Sequence, residues 1–181
     1  MLISGVTLAA NVPLPSGPYD PGNALGFFAT LIQSINNNVA GLAYQQPVPV
    51  TTTGVSAFTF GSYTIPSNAL AVGTSFSIHV AGVNSADTNA KTLTFNFGAS
   101  SCSLTITGSG ATWSADFLVN NTTVATQVSE CKGVEGTSVL ASVQATNWAI
   151  NTAAPVTVNV QGTAATSGTI TDNMLMMSFV R

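Results

Sequence analysis

His79 is the only histidine in the chain, so a hydrolytic site of the Ser-His-Asp type would have to be built around it. Ser75 and Ser77 precede it by four and two residues, which places all three side chains on one face of a strand. An exposed nucleophilic serine instead needs a sharp strand-to-helix turn, and no GxSxG sequence occurs in the chain. We therefore expect a hydrogen-bonded histidine on a polar face or at a subunit contact, in a protein that is not an enzyme.

The carboxylates and cysteines do not form a recognisable metal or catalytic motif. There is no DxDxDG loop or HExxH helix, and no spacing singles out the pair of facing acids that a glycosidase needs. Cys102 and Cys131 form no CxxC pair and have no neighbouring histidine. The sequence predicts no metal and no cofactor, and it favours reduced, partly buried thiols over a disulfide. The six acids are Asp20, Asp87, Asp116, Glu130, Glu135 and Asp172.

Aromatic side chains could offer stacking platforms for sugar rings. Trp113 is in phase with Phe117 and Val119, which favours a place in the core. Trp148 follows Asn147 near the end of a predicted strand. Trp148 is therefore the candidate exposed aromatic contact for a ligand.

The composition excludes several classes of partner. Only 5% of the residues are charged and 45% are hydrophobic, yet Ser, Thr, Asn and Gly interrupt every apolar run before it could span a membrane. Three basic residues, Lys91, Lys132 and Arg181, are too few for binding to a nucleic-acid backbone. With 25 Thr, 19 Ser and 15 Asn, the surface is predicted to consist mainly of neutral hydrogen-bonding groups.

The elements that would position these residues fall into four segments. Residues 1–24, with four prolines, are predicted to be an extended arm, and residues 44–54 a linker. Between them, residues 25–43 show apolar spacings of 3, 4, 3, 4 and 3, which predict one short amphipathic helix. This helix could lie on its own β-domain or bundle with other copies of the chain. The seam consists of Leu25, Phe28, Ile32, Ile35, Val39 and Leu42.

Residues 55–181 change to an alternation of apolar and polar side chains, as in Phe76, Ile78 and Val80. Turn signals separate such runs at intervals of roughly 8 to 14 residues. The pattern predicts an all-β domain, a jelly-roll-like antiparallel β-sandwich of about eight strands.

A resemblance to known proteins enters at residues 63–82, YTIPSNALAVGTSFSIHVAG. This segment resembles the opening of the jelly-roll domains of virion proteins from tailed bacteriophages. The late segments 156–161, VTVNVQ, and 174–180, MLMMSFV, are similar to the closing half. The resemblance covers about residues 55–181.

The resemblance implies a non-enzymatic virion protein, either a capsid decoration or a head-fibre subunit, that forms homotrimers on the particle. It implies attachment to the major capsid protein or another virion protein through the N-terminal arm, after assembly in the cytoplasm of the host bacterium. A tail or baseplate fibre module that recognises host surface glycans is the alternative. Neither role involves nucleic acid or membrane.

The helix seam gives a test on the full chain. The double variant Ile32→Asn, Ile35→Asn places polar side chains at two of the six seam positions. It is expected to convert a trimer, with three times the chain mass of 18.3 kDa, to a monomer. Asn37→Lys, at the outermost heptad position, is the matched control and should leave the mass unchanged. Light scattering during size-exclusion chromatography measures both. A native chain that is monomeric while its helix is intact would contradict the prediction.

Overall fold

The computed structural model describes residues 41–180, including the backbone but not the side chains of residues 141–146, and this part of the chain is built of strands and turns. No helix occurs within it, and hence none that could cross a bilayer. The eleven strands are β1 (Leu42–Gln45), β2 (Val50–Thr53), β3 (Phe58–Ile65), β4 (Ser75–Asn84), β5 (Lys91–Phe97), β6 (Ser100–Ile106), β7 (Thr112–Thr123), β8 (Thr126–Glu135), β9 (Ser138–Trp148), β10 (Val156–Ala164) and β11 (Thr169–Val180).

Two antiparallel sheets pack face to face, which confirms the predicted all-β sandwich. The seven-stranded sheet has the order β1-β11-β4-β7-β8-β9, and β2 also pairs with β11. The four-stranded sheet has the order β3-β10-β5-β6. The structure therefore has more strands than the eight or so that the sequence predicted.

The core lies between the sheets and is formed by alternate residues of nearly every strand. Strands β4 and β5 alternate strictly between buried and partly exposed positions, as the sequence pattern predicted. At the centre, Phe95 of β5 stacks on Phe117 of β7 across the sandwich, with ring centroids 5.4 Å apart. Such a pair contributes through both its buried area and its ring geometry.

The sandwich begins earlier than the predicted boundary at residue 55. Leu42 and Ala43, predicted as the last residues of the helix, belong to strand β1, and Leu42 is 56% exposed. The predicted linker 44–54 contains the rest of β1 and all of β2. Both strands pair with β11, whose edge supplies the hydrogen-bonding partners that a local pattern does not reveal. The predicted arm and the helix up to residue 40 lie outside the described residues.

The two cysteines form a disulfide, contrary to the predicted thiols. Cys102 lies on β6 and Cys131 on β8, in opposite sheets, with a Cα–Cα distance of 6.6 Å. Cys102 is the register partner of Phe95, and Cys131 that of Phe117, so both sulfur atoms point to the interior beside the central aromatic pair. Sequence spacing cannot reveal this pairing because it depends on how the sheets face each other.

Removing this cross-link should lower stability measurably. The double variant Cys102→Ala, Cys131→Ala is expected to lose about 3 kcal/mol in the free energy of unfolding, since the bond closes a loop of 29 residues in the unfolded chain. Chemical denaturation under non-reducing conditions measures the loss. Native protein treated with a reductant should behave like the variant, and equal stability of oxidised and reduced protein would contradict the prediction.

Candidate functional site

Trp148 is not an exposed aromatic contact. Its side chain is only 9% exposed and packs against the rings of Phe97 and Phe117, at centroid distances of 6.3 and 5.7 Å. The pairing of β9 with β8 contains two register shifts of one residue each, whose effects on the inward and outward alternation cancel, and Trp148 lies on the inner face together with Leu140, which is also buried. The prediction of exposure was wrong because it relied on the position of Trp148 near a strand end, whereas β9 stays paired with β8 up to Trp148 itself.

The outer face of the four-stranded sheet, called the neutral face below, carries no charged and no apolar side chain along its regular alternation. Its groups bond to one another across strands: Asn96 Nδ2 donates to Asn159 Oδ1 at 2.7 Å and to Gln161 Oε1 at 3.2 Å. Thr94 and Ser103 share a hydrogen bond of 3.0 Å. The face consists of Thr59, Ser62, Thr64, Thr92, Thr94, Asn96, Ser101, Ser103, Thr105, Thr157, Asn159, Gln161 and Thr163.

The outer face of the seven-stranded sheet is different, because it gathers the exposed charges. His79 of β4, Asp116 of β7 and Lys132 of β8 are successive register partners and form one row across three strands. His79 Nδ1 and Asp116 Oδ1 are 2.7 Å apart. Together with Ser77, Leu118 and Glu130, this row lines a shallow depression of about 300 Å³, called the charged depression below.

The charged depression does not bring a serine to the histidine. Ser77 Oγ shares a hydrogen bond of 2.8 Å with Ser178 Oγ, and Ser75 Oγ donates to Asn120 Oδ1. Asp116 occupies the Nδ1 side of the ring, so the pair resembles the orienting half of a triad without its nucleophile. Within residues 41–180, no three His, Cys, Asp or Glu side chains come together as a metal site.

Glu135 has a structural role inside the sandwich. Its carboxylate accepts hydrogen bonds from the backbone N–H groups of Thr107 and Gly108, at 3.0 and 2.7 Å, and from Asn84 Nδ2 at 3.1 Å. The Gly108 segment joins β6 to β7 in the other sheet, so it is a connection between the two sheets. A side chain at Gly108 would collide with the carboxylate, since a Cβ there would lie 2.8 Å from Glu135 Oε1.

Asp87 and Lys91 form an ion pair at the start of β5. Lys91 is fully buried, and its Nζ donates to Asp87 Oδ1 at 2.7 Å and to the Asn89 carbonyl at 2.9 Å. The hydrogen bond from Lys91, aided by one from Ser85, lowers the pKa of Asp87 to about 2. Asp87 therefore keeps its negative charge over the whole neutral range, and the pair holds the loop before β5 in place.

A further acid, Asp172 of β11, is fully buried. Of the seven charged residues in the described part, Asp116, Glu130 and Lys132 are thus the only ones with neither a buried site nor an ion-pair partner of opposite formal charge. All three lie in the charged depression. Sequence reasoning missed this cluster because the residues are up to 53 positions apart from His79 to Lys132 and meet only through strand register.

Comparisons with known proteins give little. No protein-family model matches the chain, and no curated protein matches it. Among solved structures, the chain is similar to the CBM2 module of the evolved Dit from Lactobacillus casei BL23 phage J-1, with 8% sequence identity and a TM-score of 0.37. The match covers 77% of this chain and 96% of that one.

Proposed function

We propose that the chain is a non-enzymatic structural subunit of a tailed-bacteriophage virion, a capsid decoration or head-fibre protein that forms homotrimers on the particle surface. The observation that carries the proposal is the nested pairing of the strands. Strands β1 and β2 pair with β11, β3 with β10, β4 with β7 and β5 with β6. The first strand thus pairs with the last. Each pair that follows lies, in chain order, between the two members of the pair before it.

This nesting is what a long antiparallel ribbon produces when it rolls into two sheets, and it supports a jelly-roll interpretation of the sandwich. Counted in this way, β1 and β2 are one interrupted strand, and the ribbon has eight strands, the number of a jelly roll. Strands β8 and β9 are then an insertion that widens the seven-stranded sheet. Jelly rolls are frequent in the capsid proteins of viruses.

The surface also suits a subunit that is packed among many copies. The neutral face carries no charge, so neighbouring copies would meet without like-charge repulsion. At the tip of the inserted hairpin, Val134 and Val139 are register partners, and their side chains are 42% and 80% exposed. An exposed apolar pair at a strand end is a surface that assembly would cover.

The particle itself provides the test. Purified virions of the phage whose genome encodes the chain should contain it in a copy number comparable with a major structural protein, as measured by quantitative mass spectrometry. A full chain with Ile32→Asn and Ile35→Asn should be incorporated less than a chain with the control change Asn37→Lys, because trimers give each attachment site three contacts. Presence in infected cells but not in virions would refute the proposal.

A tail or baseplate fibre that recognises host glycans is the second candidate, and the charged depression favours it. Carboxylate, ammonium and imidazole groups of Asp116, Lys132 and His79 converge there on an open surface, and such groups can bond sugar hydroxyls. The former candidate contact, Trp148, takes no part because it is buried.

A glycan array separates the two candidates. If the depression binds glycans, the double variant His79→Ala, Asp116→Ala should lose at least about tenfold in affinity, since two hydrogen-bonding groups are removed. Ser101→Ala on the neutral face is the matched control and should bind as the native chain does. If both variants still bind, the glycan site lies outside the charged depression. If the native chain binds no glycan, only the structural role is supported.

A further inference from the structure

Strand β11 and the edge strand beside it are both irregular at the same level. The pairing of β11 with β4 shifts its register between Asp172 and Met174. On the other side of β11, the edge is interrupted between β1 and β2 by residues 46–49, which include Pro47 and Pro49. Because neither proline has an N–H to donate, the hydrogen bonds here are supplied by side chains instead.

Gln46 bridges this gap. Its backbone N–H donates to the Leu175 carbonyl at 3.0 Å, and its side-chain Nε2 donates to the carbonyls of Val48 and Asp172 at 2.6 and 3.3 Å. Two carbonyl acceptors fix which end of the side-chain amide is the nitrogen. The other end, Oε1, is buried and receives no hydrogen bond.

Asp172, whose backbone carbonyl accepts from Gln46 Nε2, presents a second unsatisfied acceptor. The side chain is 0% exposed, and its Oδ1 accepts a hydrogen bond from the Met174 N–H at 3.1 Å. Oδ2 is buried and has no partner. Two buried acceptors without a donor would each cost free energy, and a single proton on the carboxyl group would supply the missing donor.

We propose that Asp172 is a neutral carboxylic acid in the folded protein, that its O–H donates to Gln46 Oε1 directly or through one buried water, and that ionisation of Asp172 loosens the β1–β2 edge strand. In this arrangement the proton has a structural role, because it forms the hydrogen bond that links the bulge of β11 to the gap in the edge strand. The edge strand directly follows residue 40 in the chain. Its attachment to the sandwich thus depends on pH.

The surroundings of Asp172 are consistent with a neutral acid. The strands packed against β11 are β1, β2, β3, β4 and β10, and their titratable groups are Tyr44, Tyr63 and His79. His79 points to the outer face, and neither tyrosine is hydrogen-bonded to Asp172. Burial raises the pKa of Asp172 to about 6, although the hydrogen bond from Met174 acts in the opposite direction.

The sign of the pH effect follows from linkage. The unfolded chain releases the proton near its ordinary value of 3.8, whereas the folded chain keeps it until about pH 6. Between these values the folded state binds more protons, so stability falls as pH rises, and the loss is complete above pH 6. This runs opposite to Asp87, whose lowered pKa makes stability fall as pH decreases from 4 towards 2.

Two measurements on the full native chain test the proposal. The carboxyl ¹³C resonance of Asp172 should titrate near pH 6, about two units above an ordinary aspartate. The amide-exchange protection of Gln46 and Thr52, corrected for the intrinsic pH dependence of exchange, should fall by about tenfold between pH 5 and pH 8, since pH 5 lies about one unit below the pKa of Asp172 in the folded protein, about 6, and each unit is a factor of ten. A carboxyl group that is already ionised at pH 5 would overturn the proposal.

Variants separate the proton from other effects of pH. Asp172→Asn keeps the shape and supplies a permanent N–H donor to Gln46, so its edge-strand protection should be the same at pH 5 and pH 8. Glu130→Gln, which changes a partly exposed carboxylate on β8 that has no ion-pair partner, should retain the native pH dependence. Protection in Asp172→Asn that still falls with pH would overturn the proposal. If that variant does not fold, the titration of the native carboxyl group decides.

Discussion

The packing of the two sheets against each other is the constraint on which the rest of the structure depends. The Phe95–Phe117 stack fixes the distance and level at which the sheets meet, and the disulfide between Cys102 and Cys131 lies directly beside it. Truncating a fully buried phenylalanine typically costs 3–5 kcal/mol, a large share of the stability of one domain. This contact also decides which side chains point outward from the two sheets. Along each strand, the residues that alternate with the buried ones lie on the outer face of the sheet.

The same alternation explains how so little charge is sufficient. The neutral face meets water through hydroxyl and amide groups that also bond to each other across strands. Charge is then placed where it has a defined partner, as in the Asp87–Lys91 pair, or concentrated in the charged depression. The sheet surfaces are therefore exposed to water although they carry few charges, because hydroxyl and amide groups take the place of charged side chains.

Local pattern was sufficient for part of this structure. The alternation in β4 and β5 predicted strands whose inward residues, such as Phe76 and Phe95, are indeed buried, and the sandwich class followed from the number of such runs. The pattern failed wherever the outcome depended on pairing at long range. Trp148 is inward because β9 stays paired with β8 to its end, opposite the buried Gln127, and the disulfide and the His79–Asp116 pair require knowledge of which strands are neighbours.

The edge strand illustrates the same limit from the other side. Pro47 and Pro49 lie between β1 and β2, but both strands were predicted as part of a helix or linker because β11 supplies their pairing partners. The predicted helix seam up to Val39 lies outside the described residues and stays a prediction.

The proposed role as a virion subunit is tested most directly by electron cryo-microscopy of the purified phage particles whose genome encodes the chain. The account predicts density for β-sandwiches grouped in threes on the particle surface, with each two-sheet domain matching residues 41–180. Particles without such density, or sandwiches present only as isolated single copies, would contradict it.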